Sequence, residues 1–139
     1  MALASIRPPA VAGQFYPGDE RVLRTQLAEM LSTAVALEAA PTPKAIIVPH
    51  AGYIYSGPVA ASAYALLAPL RQTVRRVVML GPTHRVAIRG LALPAAQVFA
   101  TPLGEVQVAA SATVWAVRKA QQGESKWVEV PGDEETHSA

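Results

Sequence analysis

The sequence predicts an α/β fold with an open, mainly parallel sheet flanked by helices. The runs KAIIVP at 44–49 and RRVVML at 75–80 are short, β-branched and apolar without alternation, the pattern of strands covered on both faces. Between them, SGPVAASAYALLAPL at 56–70 reads as a helix in which Gly57 precedes Pro58, the residue favoured at a first helical position. Strand, helix and strand at this spacing describe a right-handed βαβ unit with its two strands parallel.

The 139 residues suffice for one domain with a core. Hydrophobic residues make up 51% of the chain and charged residues only 16%. A surface so poor in charge points to a partner, to an oligomer, or to a chain shorter than its fold. With a net charge of +2 there is no basic face for nucleic acid, and Arg71, Arg75 and Arg76 read as a solvated edge. The absence of cysteine excludes disulfides, thiolate ligands and cysteine nucleophiles within this chain. No run reaches the roughly 18 apolar residues of a membrane span, and the N-terminus lacks the apolar core of a signal peptide. A cytoplasmic protein with no membrane or nucleic-acid partner is therefore expected.

In chain order, residues 1–18 hold Pro8, Pro9, Gly13, Pro17 and Gly18 and form a turn-rich arm, anchored by Phe15 and Tyr16. Asp19 is placed to cap a helix running from Glu20 to about Leu37, where Leu23, Leu27, Met30, Leu31, Ala34 and Val35 make one apolar stripe. Arg21, Arg24, Gln26 and Glu29 fall on its water-facing side, and the prolines of AAPTP at 39–43 end it. The alanines at 60, 61 and 63 allow the next helix to lie close to a sheet, and Pro69 closes it. AIRGLALP at 87–94 and VFATPLGEVQV at 98–108 are weaker strands, followed by a helix around 110–120. KWVEV at 126–130 is a last strand in a tail that carries half of the acidic residues. The organisation expected is an arm over 1–18, a partial α/β domain over 19–120 and an acidic tail over 121–139.

His50 and His84 follow the two apolar runs. Loops at the carboxyl ends of parallel strands form the crevice in which α/β proteins bind ligands, so neighbouring strands here would bring both imidazoles to one point. Two imidazoles make a partial site for a divalent metal such as iron, copper or zinc. The missing donor has candidates in Asp133, Glu134, Glu135 and His137. Equally, His50 can bond its own Pro-His-Ala-Gly turn and His84 can be a surface residue. Gly52 and Gly57 bracket Tyr53 and Tyr55, and a phenol over a pocket can donate to a substrate oxygen; for Tyr55, packing of the loop is the expected role. Thr83 is a second polar group beside His84, and the planar guanidinium of Arg85 suits a carboxylate or phosphate.

AGQFYP at 12–17, IIVPHAGYIYSGPVAASAY at 46–64, VVMLGPTHR at 77–85 and FATPLGEVQV at 99–108 resemble, in order and separation, the N-terminal half of the Memo family. That family comprises the mediator of ErbB2-driven cell motility and its bacterial and archaeal relatives. The resemblance implies a fold related to the class III extradiol (LigB-like) dioxygenases and a crevice between histidines. His50 and His84 match two of the family's three metal-binding positions. The third is a cysteine far toward the C-terminus, which this chain lacks, so the implied site is incomplete. The reaction stays unassigned: metal-dependent redox chemistry is one reading, a non-catalytic peptide- or protein-binding module the second, and a truncated inactive fragment the third.

Overall fold

The computed structural model describes residues 5–34, 42–84, 91–109 and 127–130. The chain is α/β, with helices, a small mixed sheet and a separate parallel strand pair among the described residues. It divides into two compact units, one drawing on residues 1–10 and 80–138 and the other on residues 11–79.

In the first unit, β1 (Ile6–Arg7) lies parallel to β3 (Val98–Thr101), which pairs antiparallel with β4 (Gly104–Gln107). A two-residue turn joins β3 to β4. Gly104 takes it at φ +127°, a backbone conformation that disfavours a side chain. The Thr101 hydroxyl donates to the Gly104 carbonyl at 2.8 Å and accepts from the Leu103 amide at 3.1 Å. Cross-strand pairing sets Arg7 opposite Phe99, with the guanidinium 5.2 Å from the ring centroid. Val98 and Ala96 are buried. β2 (Leu91–Pro94) and β5 (Trp127–Val130) form a separate parallel pair. The three weaker strand signals of the sequence thus all become strands. The expected helix at 110–120 lies outside the described residues, as do Asp133, Glu134, Glu135 and His137.

The second unit is built on α1 (Glu20–Thr33) and α2 (Tyr53–Ala65). Asp19 caps α1 as its position predicts, its carboxylate accepting from the Val22 amide at 2.9 Å. The stripe is graded: Leu23 is buried, Leu27 and Met30 are half-buried and Leu31 is exposed. Gln26 departs from the water-facing expectation, since its Oε1 is buried without a hydrogen-bond partner among the described residues. The helix ends at Thr33, short of Leu37. There the hydroxyls of Ser32 and Thr33 both bond the Glu29 carbonyl, which competes with another helical turn.

α2 begins at Tyr53, five residues before the Pro58 start that the Gly-Pro signal predicts, and Pro58 sits inside it. Gly52 is the N-cap, and the amides of Tyr55 and Ser56 both bond its carbonyl. Pro58 forgoes one ladder bond. A short 3-10 turn at Ala68–Leu70 follows. Phe15 and Tyr16 hold the arm in different ways. The Phe15 ring is exposed while its carbonyl accepts from the Tyr53 amide at 2.7 Å, and Tyr16 packs on Tyr53 with ring centroids 5.6 Å apart.

The main departure concerns the two apolar runs. Neither 44–49 nor 75–80 belongs to a strand, and Ile47, Val77 and Val78 are exposed. A parallel strand needs ladder partners on its edges and cover on both faces, and the described residues offer these runs neither. The predicted central βαβ unit is therefore not assembled, although a helix does lie between the runs.

Candidate functional site

The site grows from the turn that follows Val48 and Pro49. His50 and Ala51 lead into Gly52, where the chain passes close to the arm: a Cβ added at Gly52 would lie 3.4 Å from the Phe15 carbonyl oxygen. Ser56 pins the turn from inside the helix, its hydroxyl donating to the Ala51 carbonyl at 2.7 Å, and the residue is buried. The turn is thus fastened twice just after His50, by the Tyr53 amide to the Phe15 carbonyl and by the Ser56 hydroxyl to the Ala51 carbonyl.

Above that turn lies a cavity of about 790 Å³, walled by Leu27 and Met30 of α1, by Ala60, Ala61 and Tyr64 of α2, and by the segment Val48–Ala51. Its lining is mostly carbon. Of the alanines expected to let α2 approach a sheet, Ala60 and Ala61 line this space instead. Met30 lies hard against α2, because a Cβ at Gly57 would stand 2.5 Å from its sulfur. His50 and Tyr53 bring polar atoms to the wall. The Tyr53 phenol is pushed above its ordinary 10.0, first by burial and then by the neighbouring phenols of Tyr16 and Tyr64. It is a neutral hydrogen-bond donor across the physiological range.

His50 and Tyr53 therefore share one cavity, with Tyr53 on the first turn of α2 and not in a loop. Tyr55 is 80% exposed, so it does not pack the loop down as expected; the helix turns its ring outward. Thr83 and His84 are exposed, and His84 belongs to the other unit. Arg85 lies outside the described residues. Among the described residues no three His, Cys, Asp or Glu side chains gather to hold a metal. Sequence reasoning missed Ser56 and Met30 as shapers of the site; the one signal for them was the small Gly57, which permits a close helix crossing.

Similarity to known proteins accords with this architecture. The family described as Memo-like protein matches residues 7–138. The chain belongs to the Memo family. A MEMO1 family protein of Nitrosopumilus maritimus is 34% identical over 141 residues, covering 96% of this chain and 46% of the relative. One from Aquifex aeolicus is 39% identical over 103 residues, covering 74% and 36%. Protein MEMO1 of Danio rerio is 41% identical over 102 residues, covering 73% and 33%. The chain thus spans less than half the length of these curated relatives. No helix among the described residues is long and apolar enough to cross a membrane.

Proposed function

We propose that this Memo-family chain forms the substrate-holding part of a site for metal-assisted redox chemistry, on a scaffold related to the class III extradiol dioxygenases. The position of His50 on the wall of an apolar cavity of about 790 Å³ supports the reading. Small-molecule sites fall between roughly 300 and 1,000 Å³ and combine apolar walls with a few polar groups. In this proposal His50 and His84 are the imidazole donors to a divalent iron, copper or zinc ion. Tyr53 donates its phenolic hydrogen to a substrate oxygen, Thr83 and Arg85 are further substrate contacts, and the carbon lining takes the apolar body of the substrate.

Two imidazoles are fewer than the three protein donors of a catalytic metal site. The donor set on these residues is incomplete without a further ligand. A second reading, a non-catalytic module that grips an apolar side chain of a peptide or protein, draws on the same lining. Metal analysis of the folded, iron-, copper- or zinc-loaded protein separates the two. Stoichiometric metal that is lost in His50→Ala and in His84→Ala, with helix content unchanged, supports the first. A metal-free folded protein refutes it; peptide binding abolished by the cavity-filling Ala60→Leu then favours the second.

A further inference from the structure

The cavity walled by Leu27, Met30, Val48, Ala60 and Ala61 lies wholly within the 11–79 unit and holds about 790 Å³, a volume that takes a drug-sized molecule. None of the described residues that line it is Asp, Glu, Lys or Arg. The charges of α1 sit elsewhere: Glu20 and Arg24 pair with each other at 2.8 Å on an exposed surface, and Arg21 and Glu29 are exposed. An ionised group brought into a carbon-lined space without a countercharge loses hydration that nothing returns. Two of the lining hydroxyls are already engaged, Ser32 with the Glu29 carbonyl at 2.9 Å and Ser56 with the Ala51 carbonyl at 2.7 Å.

Tyr53 supplies a polar feature that a ligand can use. Its ring packs on Tyr16 with centroids 5.6 Å apart, which restrains it, and burial above all keeps its phenol protonated. A protonated phenol donates one hydrogen bond and so answers to an acceptor oxygen. Tyr64 also lines the cavity but is 48% exposed, so water competes for its hydroxyl. Resting on the reading of this cavity as the substrate-holding part of the site, we propose that it selects uncharged, mostly hydrocarbon molecules bearing a carbonyl oxygen that accepts from Tyr53, and that it rejects carboxylates and phosphates.

The test titrates the 139-residue chain, stripped of metal with EDTA, in a calorimeter at about pH 8, where an unperturbed imidazole is neutral. The probes are three naphthalenes of matched shape that carry an acetyl, an ethyl or a carboxylate group. The expected result is one acetyl compound per chain, bound at least about 10-fold more tightly than the carboxylate. Tyr53→Phe should weaken the acetyl compound about 5-fold and spare the ethyl compound, whereas Tyr64→Phe should change neither. Ala60→Leu, which fills the space, should abolish binding of all three, and each variant should keep its helix content. Carboxylate binding as tight as that of the acetyl compound overturns the proposal, as does a Tyr53→Phe variant that weakens both neutral compounds alike or neither. Loss of acetyl binding in Tyr64→Phe in place of Tyr53→Phe overturns it, and so does the absence of binding by all three probes. Metal analysis of the histidine variants reads the ion with no probe present, and these titrations read the cavity with no ion present, so either reading can fail alone.

Discussion

Replacing Ser56 by alanine tests whether the loop carrying His50 is fastened from within α2. The hydroxyl donates to the Ala51 carbonyl at 2.7 Å, and Ser56 is only 5% exposed. A neutral hydrogen bond of this kind contributes about 1 kcal/mol net, and up to about 3 kcal/mol when its partner is left dry. Ala51 is exposed, so water can reach its carbonyl and the loss stays at the lower figure. Alanine returns about 0.5 kcal/mol of helix propensity. The net expectation for Ser56→Ala is therefore a destabilisation of about 0.5 kcal/mol. Ser62, on the same helix, is the internal control: its hydroxyl bonds the Pro58 carbonyl at 3.2 Å in an exposed setting. Ser62→Ala gains the same propensity and should change stability by about zero. Urea unfolding followed by circular dichroism measures both, and hydrogen exchange at 51–53 should rise in Ser56→Ala alone. Equal stability of the two variants would refute the fastening.

Asp19→Ala removes the acceptor of the Val22 amide and should cost about 1 kcal/mol in the same unfolding assay, whereas Asp19→Asn, which keeps an oxygen there, should cost less. Gly104→Ala places a Cβ in open space but at φ +127°, so its expected cost of about 1 to 2 kcal/mol is purely conformational; strand signals of 98–107 in NMR spectra should weaken while those of α1 persist. Tyr53 has a phenol raised above 10.0 in the folded state, so the unfolded state gives up the proton first. Its contribution is intact below about pH 10 and is lost as pH rises through the raised value. Tyrosinate absorbance should show one late-titrating group in the native protein that is absent from Tyr53→Phe, and the variant should lose less stability above pH 10.

The elements legible in the sequence are those with local causes. Asp19 before an apolar stripe, glycine and proline around 90–104, and the aromatic and β-branched residues of KWVEV each specify an element through neighbours in the chain. The runs at 44–49 and 75–80 lack that property. Their composition states that they are suited to burial but not against what, and pairing depends on residues far away. The start of α2 was hidden for a related reason. Gly57-Pro58 is a sound local start signal, yet the arm offers the Phe15 carbonyl to Tyr53 and lets the helix open five residues sooner. That His50 and Tyr53 line one cavity follows from their closeness in the sequence. The cavity itself was not legible, since it depends on a contact between residues far apart in the chain, Met30 against Gly57.

The bond from the Tyr53 amide to the Phe15 carbonyl also sets an order of events during synthesis. The turn that presents this carbonyl closes on itself, with the Gly13 amide bonded to Tyr16 and the Gln14 and Phe15 amides bonded to Val11. It can form as soon as those few residues leave the ribosome. The acceptor is thus ready before the helix that needs it has been translated. A transcript initiated downstream of Tyr16 would deliver α2 with no docking point for its first amide, and the histidine turn would be the first part of the protein to feel the loss.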